Sequence, residues 1–287
     1  MVLRNIYSAA DKVQEALNFA GSVNNPQFRG SAAGKIGTAG FFLGLVGGIH
    51  LGMLLLCGLL AFWHPFMEHD SHGELNEAMS NNGSILRDKA TIHRLRTLTQ
   101  WCVYVVCLCL FHFSEFFVTA VKQPKNLKYD SFLLNHSINY TLANVAAWME
   151  YSLELWWWGG EVKFNISVAF LGLVILVTGQ AVRSVGMWQC GEHFAHEIMT
   201  SHDEGHRLIT TGIYSVLRHP AYFGWFYWTI GTQLLLCNPV CTIVYAYVSW
   251  IFFSRRIPFE EDLLHRFYGE RYRDFCEKTI IGIPFIK

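Results

Sequence analysis

Most side chains with the potential for chemistry lie in two polar segments of an otherwise apolar C-terminal half. The first, residues 183–220, ends in the sequence RHP, and the second, residues 254–275, begins SRRIPFEED. Antiparallel helices across the apolar run between them, residues 221–253, would bring both polar ends to the same side of a membrane. The charged groups expected to meet there are Arg218, His219, Arg256, Glu260 and Glu261.

These groups suit two different roles, and their spacing does not choose between them. Arginines can extend their charge to the membrane surface, while tyrosines and tryptophans form an interfacial belt and the glutamates stay solvated. The same cations and carboxylates can instead bind a charged ligand at the membrane boundary.

Five histidines between residues 193 and 219 raise the question of a metal site. Their spacing includes one i,i+3 and one i,i+4 pair, either of which could place two imidazoles on one helix face. A zinc-protease signature begins at His196 but lacks its second histidine, because Thr200 stands at that position. We therefore expect solvated or hydrogen-bonded histidines and no metal. The sequence also lacks a GxSxG hydrolase motif and a GxGxxG motif between a strand and a helix.

The composition indicates a membrane protein. Hydrophobic residues make up 52% of the 287 residues and charged residues 15%, whereas soluble domains carry about 25% charged residues. The formal net charge is zero, so the charge balance does not favour a nucleic-acid partner. We predict an all-α, polytopic integral membrane protein with six to eight transmembrane helices.

Six apolar stretches approach the length that a helix needs to cross a bilayer. They are residues 36–63, 97–121, 131–158, 164–188, 221–237 and 239–253. The last two are short and meet at Asn238-Pro239, which predicts a helical hairpin over residues 221–253. The stretch 5–22 is amphipathic and too charged to be counted among them.

The chain divides into two parts within one membrane domain. Residues 1–164 are predicted to form an N-terminal transmembrane scaffold with a long polar loop at residues 64–95. Residues 165–287 are predicted to form a C-terminal catalytic region at a membrane boundary, because both polar segments lie there.

Two local patterns predict helix geometry. Pro258 is expected to begin a new helix, because proline needs no N–H donor in the first turn. The two glutamates that follow would then lie where the helix dipole favours acids. Gly40, Gly44, Gly48 and Gly52 are four residues apart, so they line one helix face and would let a neighbouring helix approach closely. We expect that face to pack inside a monomeric protein, and a dimer interface is the alternative.

Two sequence blocks resemble the isoprenylcysteine carboxyl methyltransferases, which are membrane enzymes that use S-adenosylmethionine. The T-x-G-x-Y…R-H-P-x-Y-x-G block is formed here by Thr210, Gly212, Tyr214, Arg218, His219, Pro220, Tyr222 and Gly224. The E-E-x-x-L…F-x-G-x-x-Y block is formed by Glu260, Glu261, Leu264, Phe267, Gly269 and Tyr272. The first block is shared with phospholipid methyltransferases and, more loosely, with sterol reductases, whereas GWFYWTIGTQLLLCNP is typical of the isoprenylcysteine enzymes.

The resemblance implies methyl esterification of the C-terminal carboxylate of a prenylated cysteine on processed CaaX proteins such as small GTPases. S-adenosyl-L-methionine is the implied methyl donor and S-adenosyl-L-homocysteine the product. The prenyl chain is implied to enter from membrane lipid, and the active site to face the cytosol from a multi-pass protein of the endoplasmic reticulum membrane. A carboxylate with a pKa of about 3.5 is already ionised at neutral pH, so the site needs a clamp rather than a general base.

The resemblance and this chemistry together assign candidate site residues. Arg256 is the leading candidate for the carboxylate clamp, because its planar fork can donate two parallel hydrogen bonds, and Arg183 is the second. Trp225 and Trp228 are candidate contacts for the prenylated substrate. The residues implied to bind the cofactor are Met199, His206, Arg207, Leu208, Ile209, Tyr214, Arg218, His219, Pro220, Ala221, Tyr222, Glu260 and Glu261. Within that set, an acid would pair with the cofactor ammonium, and the cation or histidine of RHP with its carboxylate.

Three other functions stay open at this point. A phospholipid methyltransferase would use the same cofactor on an amine acceptor and would not need Arg256. A nicotinamide-dependent sterol reductase needs cations for a 2′-phosphate, for which only Arg255 and Arg256 are available. A non-catalytic lipid-binding scaffold would bind no S-adenosylmethionine.

Overall fold

The computed structural model describes residues 31–70, 81–134, 137–201, 205 and 207–287. Within these ranges the regular secondary structure is helical, with one isolated parallel bridge between Leu217 and Ile280. The α-helices are α1 (Ser31–Asp70), α2 (Asn81–Lys122), α3 (Ile138–Lys163), α4 (Ile166–Cys190), α5 (Pro220–Leu235), α6 (Pro239–Tyr268) and α7 (Glu270–Lys278). The predicted all-helical fold is confirmed for this part of the chain.

Among the described residues, three segments are long and apolar enough to cross a membrane. They are Lys35–Gly58 in α1, Thr91–Lys122 in α2 and Ile166–His193, which begins with α4. The predicted total of six to eight spans stays a prediction. The amphipathic stretch 5–22 lies outside the described residues.

The long polar loop predicted at residues 64–95 is wrong. Helix α1 continues to Asp70 and α2 begins at Asn81, so only residues 71–80, which lie outside the described ranges, separate the two helices. The physical reason is that extending a helix costs far less than starting one. A helix that begins in an apolar span can therefore propagate into polar sequence. The span predicted from residue 131 also begins later, at Ile138, where the Ser137 hydroxyl accepts the N–H of Tyr140 at 3.2 Å.

Helix α5 is packed tightly against α4 by glycines spaced seven residues apart. They are Gly172, Gly179 and Gly186 on α4, and Gly224 and Gly231 on α5. A Cβ atom at Gly179 would lie 2.7 Å from both the Gly224 carbonyl oxygen and the Trp228 backbone nitrogen. The two backbones are therefore in contact, as is usual where helices associate through small residues in lipid.

Three of the four glycines on the face predicted on α1 meet no neighbour among the described residues, whereas Gly40 approaches the Phe132 ring. A Cβ atom at Gly44, Gly48 or Gly52 would have no described atom within 4 Å. Helix α1 approaches α2 through Gly47 instead, where an added Cβ would lie 3.4 Å from the Cβ of Cys109. The predicted packing is therefore absent at Gly44, Gly48 and Gly52 among the described residues, and the choice between packing inside the protein and a dimer interface stays a prediction.

The hairpin predicted over residues 221–253 is present, with α6 beginning at Pro239. Helix α3 holds the start of α6 in place. The two carboxylate oxygens of Glu150 accept the backbone N–H groups of Val240 and Cys241, each at 2.7 Å. This satisfies two of the N–H groups that the beginning of a helix leaves unpaired.

A buried lysine fixes the turn between α5 and α6. Nζ of Lys163 donates to Glu154 Oε2 at 2.5 Å, to Asn238 Oδ1 at 2.7 Å and to the Cys237 carbonyl at 3.0 Å. The Lys163 side chain is 1% exposed and that of Glu154 12%. This cluster lies at the end of α5 opposite to the RHP sequence.

Helix α6 runs without interruption through Pro258, so the new helix predicted at that residue is wrong. Phe253 and Ile257 are 2% and 0% exposed and belong to one hydrophobic cluster with Phe226 of α5. Their burial keeps the helix continuous although proline removes one helical hydrogen bond. The two glutamates after Pro258 consequently lie inside a helix, away from the first turn where its dipole would favour them.

Candidate active site

A cavity of about 120 Å³ lies beside the start of α5, between the α4–α5 connection and helices α6 and α7. Its walls include residues 193–195, 207–209 and 218–222, together with Glu260 and Tyr272. A second cavity of about 70 Å³ adjoins it. The residues shared by both cavities are His193, Ala195, Glu260 and Leu264.

Most residues implied to bind the cofactor line these two cavities. The larger cavity is lined by Arg207, Leu208, Ile209, Tyr214, Arg218, His219, Pro220, Ala221, Tyr222 and Glu260. Met199 lines the smaller one. Glu261 lies behind the wall, against Arg218 and His219. His206 lies outside the described residues.

The stretch TTGIYS, residues 210–215, belongs to the first motif block and contributes to the cavity wall. Gly212 has a φ of 64°, a left-handed conformation that favours glycine, and an added Cβ there would collide with the Gln189 side chain. Oε1 of Gln189 accepts the Ile213 N–H at 2.8 Å. The Tyr214 hydroxyl donates to the Gly186 carbonyl at 3.3 Å, and burial raises the pKa of Tyr214 above its usual value. Tyr214 is therefore a stable donor that anchors the wall to α4.

Arg218 connects the wall to the C-terminal segment. Its Nε donates to Glu261 Oε1 at 2.9 Å, and its Nη1 donates to the carbonyls of Cys276 and Thr279 at 3.0 and 2.8 Å. His219 Nε2 lies 3.1 Å from the same Glu261 oxygen. Burial alone would raise the pKa of Glu261, but the hydrogen bond and charge of His219, and then Arg218, lower it below its usual value. The charge of Glu261 is thus already compensated within the protein.

Glu260 has a different environment. Its Oε2 accepts a hydrogen bond from the Tyr222 hydroxyl at 2.6 Å, and no arginine, lysine or histidine of the described chain forms a salt bridge with it. Because Glu260 also lines both cavities, its charge is available to a ligand. The geometry therefore distinguishes the two adjacent glutamates, which the sequence did not.

Arg256 is held at one edge of its guanidinium. Its Nε donates to the Tyr222 hydroxyl at 2.9 Å and its Nη2 to the His196 carbonyl at 2.6 Å. No other hydrogen bond joins Arg256 to the described residues, so Nη1 can still donate to a ligand. Arg256 and Tyr222 thus meet as expected for the two ends of an antiparallel hairpin.

Arg183 is buried and fully surrounded by protein. It is 2% exposed, and its Nε and Nη2 donate to the two carboxylate oxygens of Glu115 at 2.5 and 2.8 Å. Nη1 donates to the Ala221 carbonyl at 3.1 Å, and the guanidinium carbon lies 4.8 Å from the centre of the Trp225 ring. Arg183 therefore lies directly behind the cavity wall, with its charge neutralised by Glu115.

Glu115 and His196 are site residues that the sequence reasoning missed. Nε2 of His196 lies 3.1 Å from Glu115 Oε2, although the two residues are 81 positions apart. A signal for Glu115 was available, because an acid inside an apolar span usually has a specific partner or a function. His196 gave no such signal, since the polar segment around it contains several other histidines.

The two candidate substrate tryptophans are placed differently from one another. Trp228 is 3% exposed and stacks on Phe111 with ring centres 4.1 Å apart, in the bundle core. Trp225 is partly buried and lies against Arg183, closer to the polar groups. Within the described part of the chain, no three histidine, cysteine or acidic side chains are close enough together to hold a metal ion.

Comparison with known proteins relates this chain to one enzyme family. The Isoprenylcysteine carboxyl methyltransferase (ICMT) family profile matches residues 171–266. A protein-S-isoprenylcysteine O-methyltransferase of Rattus norvegicus is 46% identical over 184 residues, which make up 64% of this chain and 64% of the rat protein. The match thus spans slightly less than two thirds of that relative. The protein-S-isoprenylcysteine O-methyltransferase of Dictyostelium discoideum is 39% identical over 191 residues, 67% of this chain and 80% of that protein.

A solved structure extends the likeness to the whole fold. The eukaryotic intramembrane Ras methyltransferase, isoprenylcysteine carboxyl methyltransferase, matches with a TM-score of 0.66 and 30% sequence identity. The match covers 86% of this chain and 98% of that chain. The chain therefore belongs to the isoprenylcysteine carboxyl methyltransferase family.

Proposed function

We propose that this chain uses S-adenosyl-L-methionine to methylate the C-terminal carboxylate of a prenylated cysteine. The observation that carries the proposal is the position of Arg256. Tyr222, which lines the cavity, and the His196 carbonyl hold one edge of its guanidinium, and the other edge remains able to donate. A fixed guanidinium with a free edge is well suited to bind a carboxylate in a single orientation.

The cavity chemistry fits the proposed methyl donor. Glu260 offers an ammonium group a carboxylate that forms no direct ion pair with the described residues. Tyr272 lines the cavity, and its buried hydroxyl has no nitrogen or oxygen hydrogen-bond partner among the described residues, whereas buried polar groups are usually paired. A bound ligand would satisfy it. When bound, S-adenosyl-L-methionine supplies an electrophilic methyl group on a sulfonium.

The chain's own residues then have a limited task. The substrate carboxylate has a pKa of about 3.5 in its unperturbed state, so it is ionised at neutral pH without a general base. Arg256 orients it, and the buried surroundings of Arg183 and Trp225 exclude water from one side. Orientation and removal of water are the two contributions that such a transfer needs from the protein.

The setting of the site supports the proposed class of substrate. Polar groups line the cavity, whereas α1 and α4 expose apolar side chains such as Phe41, Leu55 and Phe170. A molecule with a charged end and a prenyl chain would be stabilised at such a boundary. We propose CaaX-processed proteins such as small GTPases as substrates, the endoplasmic reticulum membrane as the location, and the cytosol as the side that the site faces.

The deciding experiment is transfer of labelled methyl from S-adenosyl-L-methionine to N-acetyl-S-farnesyl-cysteine by purified protein in detergent. We expect a base-labile methyl ester from the wild type and its loss in Arg256→Ala. Arg255→Ala is the matched control, because Arg255 is exposed and one position away, and we expect it to retain activity. Cofactor binding without ester formation would refute the proposal and point to a lipid amine acceptor.

A further inference from the structure

Glu115 is an acid in the apolar segment Thr91–Lys122. Its residue exposure is 1%. It accepts two hydrogen bonds from Arg183 and one from His196, so both carboxylate oxygens are used. Burying an ionised carboxylate is costly unless it is paired and hydrogen-bonded. Glu115 therefore has a fixed position that depends on both partners.

His196 links the position of Glu115 to that of Arg256. An ionised carboxylate can only accept hydrogen bonds, so Nε2 of His196 must carry a hydrogen and donate it to Glu115. The backbone carbonyl of the same histidine accepts from Nη2 of Arg256 at 2.6 Å. A continuous series of contacts thus joins Arg183, Glu115, His196 and Arg256.

A second contact, from the residue that follows α2, holds the segment 191–196 that contains His196. Nε2 of Gln123, in the first residue after the helix, donates to the Gly191 carbonyl at 2.9 Å and to the Phe194 carbonyl at 2.5 Å. Gln123 therefore fixes the beginning of the segment and Glu115 fixes its end at His196. Helix α2, in the part of the chain expected to be scaffold, determines where this cavity wall lies.

We infer that Glu115 is a positioning residue for methyl transfer: it sets the orientation of Arg256 through His196 while it neutralises Arg183. The inference rests on the proposed function, because it assigns Arg256 to the substrate carboxylate. The inference also gives the two arginines different roles. Arg183 is paired with an acid inside the protein, and Arg256 has the guanidinium edge that a substrate can use.

The variant Glu115→Asp separates positioning from charge. Aspartate retains the negative charge beside Arg183 but is shorter by one carbon–carbon bond, about 1.5 Å, so it cannot reach Arg183 and His196 together. We expect kcat/KM for N-acetyl-S-farnesyl-cysteine to fall by about 10- to 100-fold, because small errors in placement are costly for oriented reactants. S-adenosyl-L-homocysteine affinity should fall much less than kcat/KM, and thermal stability should decrease, because Arg183 loses part of its contact with a buried acid.

A double-mutant cycle with His196→Ala tests whether the effect passes through the histidine. Residues that act through one another lose activity non-additively, so the double variant should be about as impaired as Glu115→Asp alone. Glu150→Asp is the matched control, since Glu150 is a hydrogen-bonded acid near the opposite end of the bundle, and it should keep wild-type kcat/KM.

The outcomes discriminate between the hypotheses. The inference would be overturned if Glu115→Asp kept the wild-type kcat/KM, or if its affinity for S-adenosyl-L-homocysteine fell as much as its kcat/KM. It would also be overturned if the losses in kcat/KM were additive in the double variant. If Glu115→Asp does not fold, His196→Ala decides alone: we expect an about 10-fold lower kcat/KM at unchanged cofactor-product affinity, and unchanged activity would refute the inference. A wild type that forms no ester refutes the proposed function itself, whereas an active wild type with a tolerant Glu115→Asp refutes the inference only.

Discussion

The hydroxyl of Tyr222 donates to Oε2 of Glu260 at 2.6 Å and accepts from Nε of Arg256 at 2.9 Å. One hydroxyl thus lies between the candidate cofactor acid and the candidate substrate cation. A carboxylate and a guanidinium this close would otherwise form a direct ion pair, which would compete with both ligands. Tyr222 keeps two opposite charges available for two different molecules.

Tyr222→Phe should therefore impair substrate binding while the protein stays folded. Without the hydroxyl, Arg256 can rotate towards Glu260, and a hydrogen bond to a charged group is worth about 1.5–3 kcal/mol. We expect KM for N-acetyl-S-farnesyl-cysteine to rise by about 10-fold or more, as measured by ester formation in detergent. Phe223→Leu, on the next residue, is the control for aromatic packing. An unchanged KM in Tyr222→Phe would show that the hydroxyl does not separate the charges.

The two adjacent glutamates should differ in their effect on cofactor binding. Glu260→Gln removes a charge that lines both cavities and forms no direct ion pair with the described residues, so we expect S-adenosyl-L-homocysteine to bind about 10-fold more weakly in calorimetry. Glu261→Gln removes the partner of Arg218 and His219, so its main effect should be a lower unfolding temperature. The reverse pattern would assign the ammonium contact to Glu261.

The hairpin and the cavity wall could be predicted because they depend on short stretches of sequence. Two apolar runs joined at Asn238-Pro239 have only one compact arrangement, and it brings Arg256 back to Tyr222. The T-x-G-x-Y block likewise contains its own turn, in which Gly212 supplies the left-handed conformation. Local patterns of this kind specify local geometry.

The contribution of α2 could not be predicted in the same way. Glu115 meets its partners across 68 and 81 residues, and neither spacing nor composition fixes which helices are neighbours. The prediction from the glycines of α1 failed at three of the four residues for the same reason. Their regular spacing is visible in the sequence, but the close backbone contacts at glycines lie between α4 and α5. Pro258 stays within a helix because Phe253 and Ile257, which precede it, are buried against α5, and the sequence alone does not show that packing.

The glycine contact between α4 and α5 gives a matched pair of variants. Gly179→Ala would place a Cβ 2.7 Å from backbone atoms of α5, which cannot move aside as a side chain could. We expect a loss of about 1–3 kcal/mol in stability, seen as a lower unfolding temperature in detergent. Gly48→Ala should have little effect, because its Cβ would meet no described atom within 4 Å. Equal stability of the two variants would contradict the backbone contact.

The lysine at the opposite end of α5 should matter for folding but not for ligand binding. Lys163→Met leaves the Glu154 carboxylate and the side-chain Oδ1 of Asn238 without their cation, and breaking a buried ion pair typically costs about 3–5 kcal/mol. We expect a clearly lower unfolding temperature in detergent. Helix α5 has 16 residues, so the cavity is about 24 Å away, and the folded fraction should bind S-adenosyl-L-homocysteine with wild-type affinity.

The double variant Lys163→Met/Glu154→Leu supplies the control for that prediction. It removes both charges and leaves no unpaired ion, and replacing a buried ion pair by apolar side chains is often neutral. Most of the lost stability should therefore return, although the side-chain amide of Asn238 keeps only the hydrogen bonds that its Nδ2 donates to the Ala147 carbonyl and to Gln233 Oε1. A single variant as stable as the wild type, or a double variant less stable than the single one, would show that the turn between α5 and α6 is held by packing instead of by this lysine.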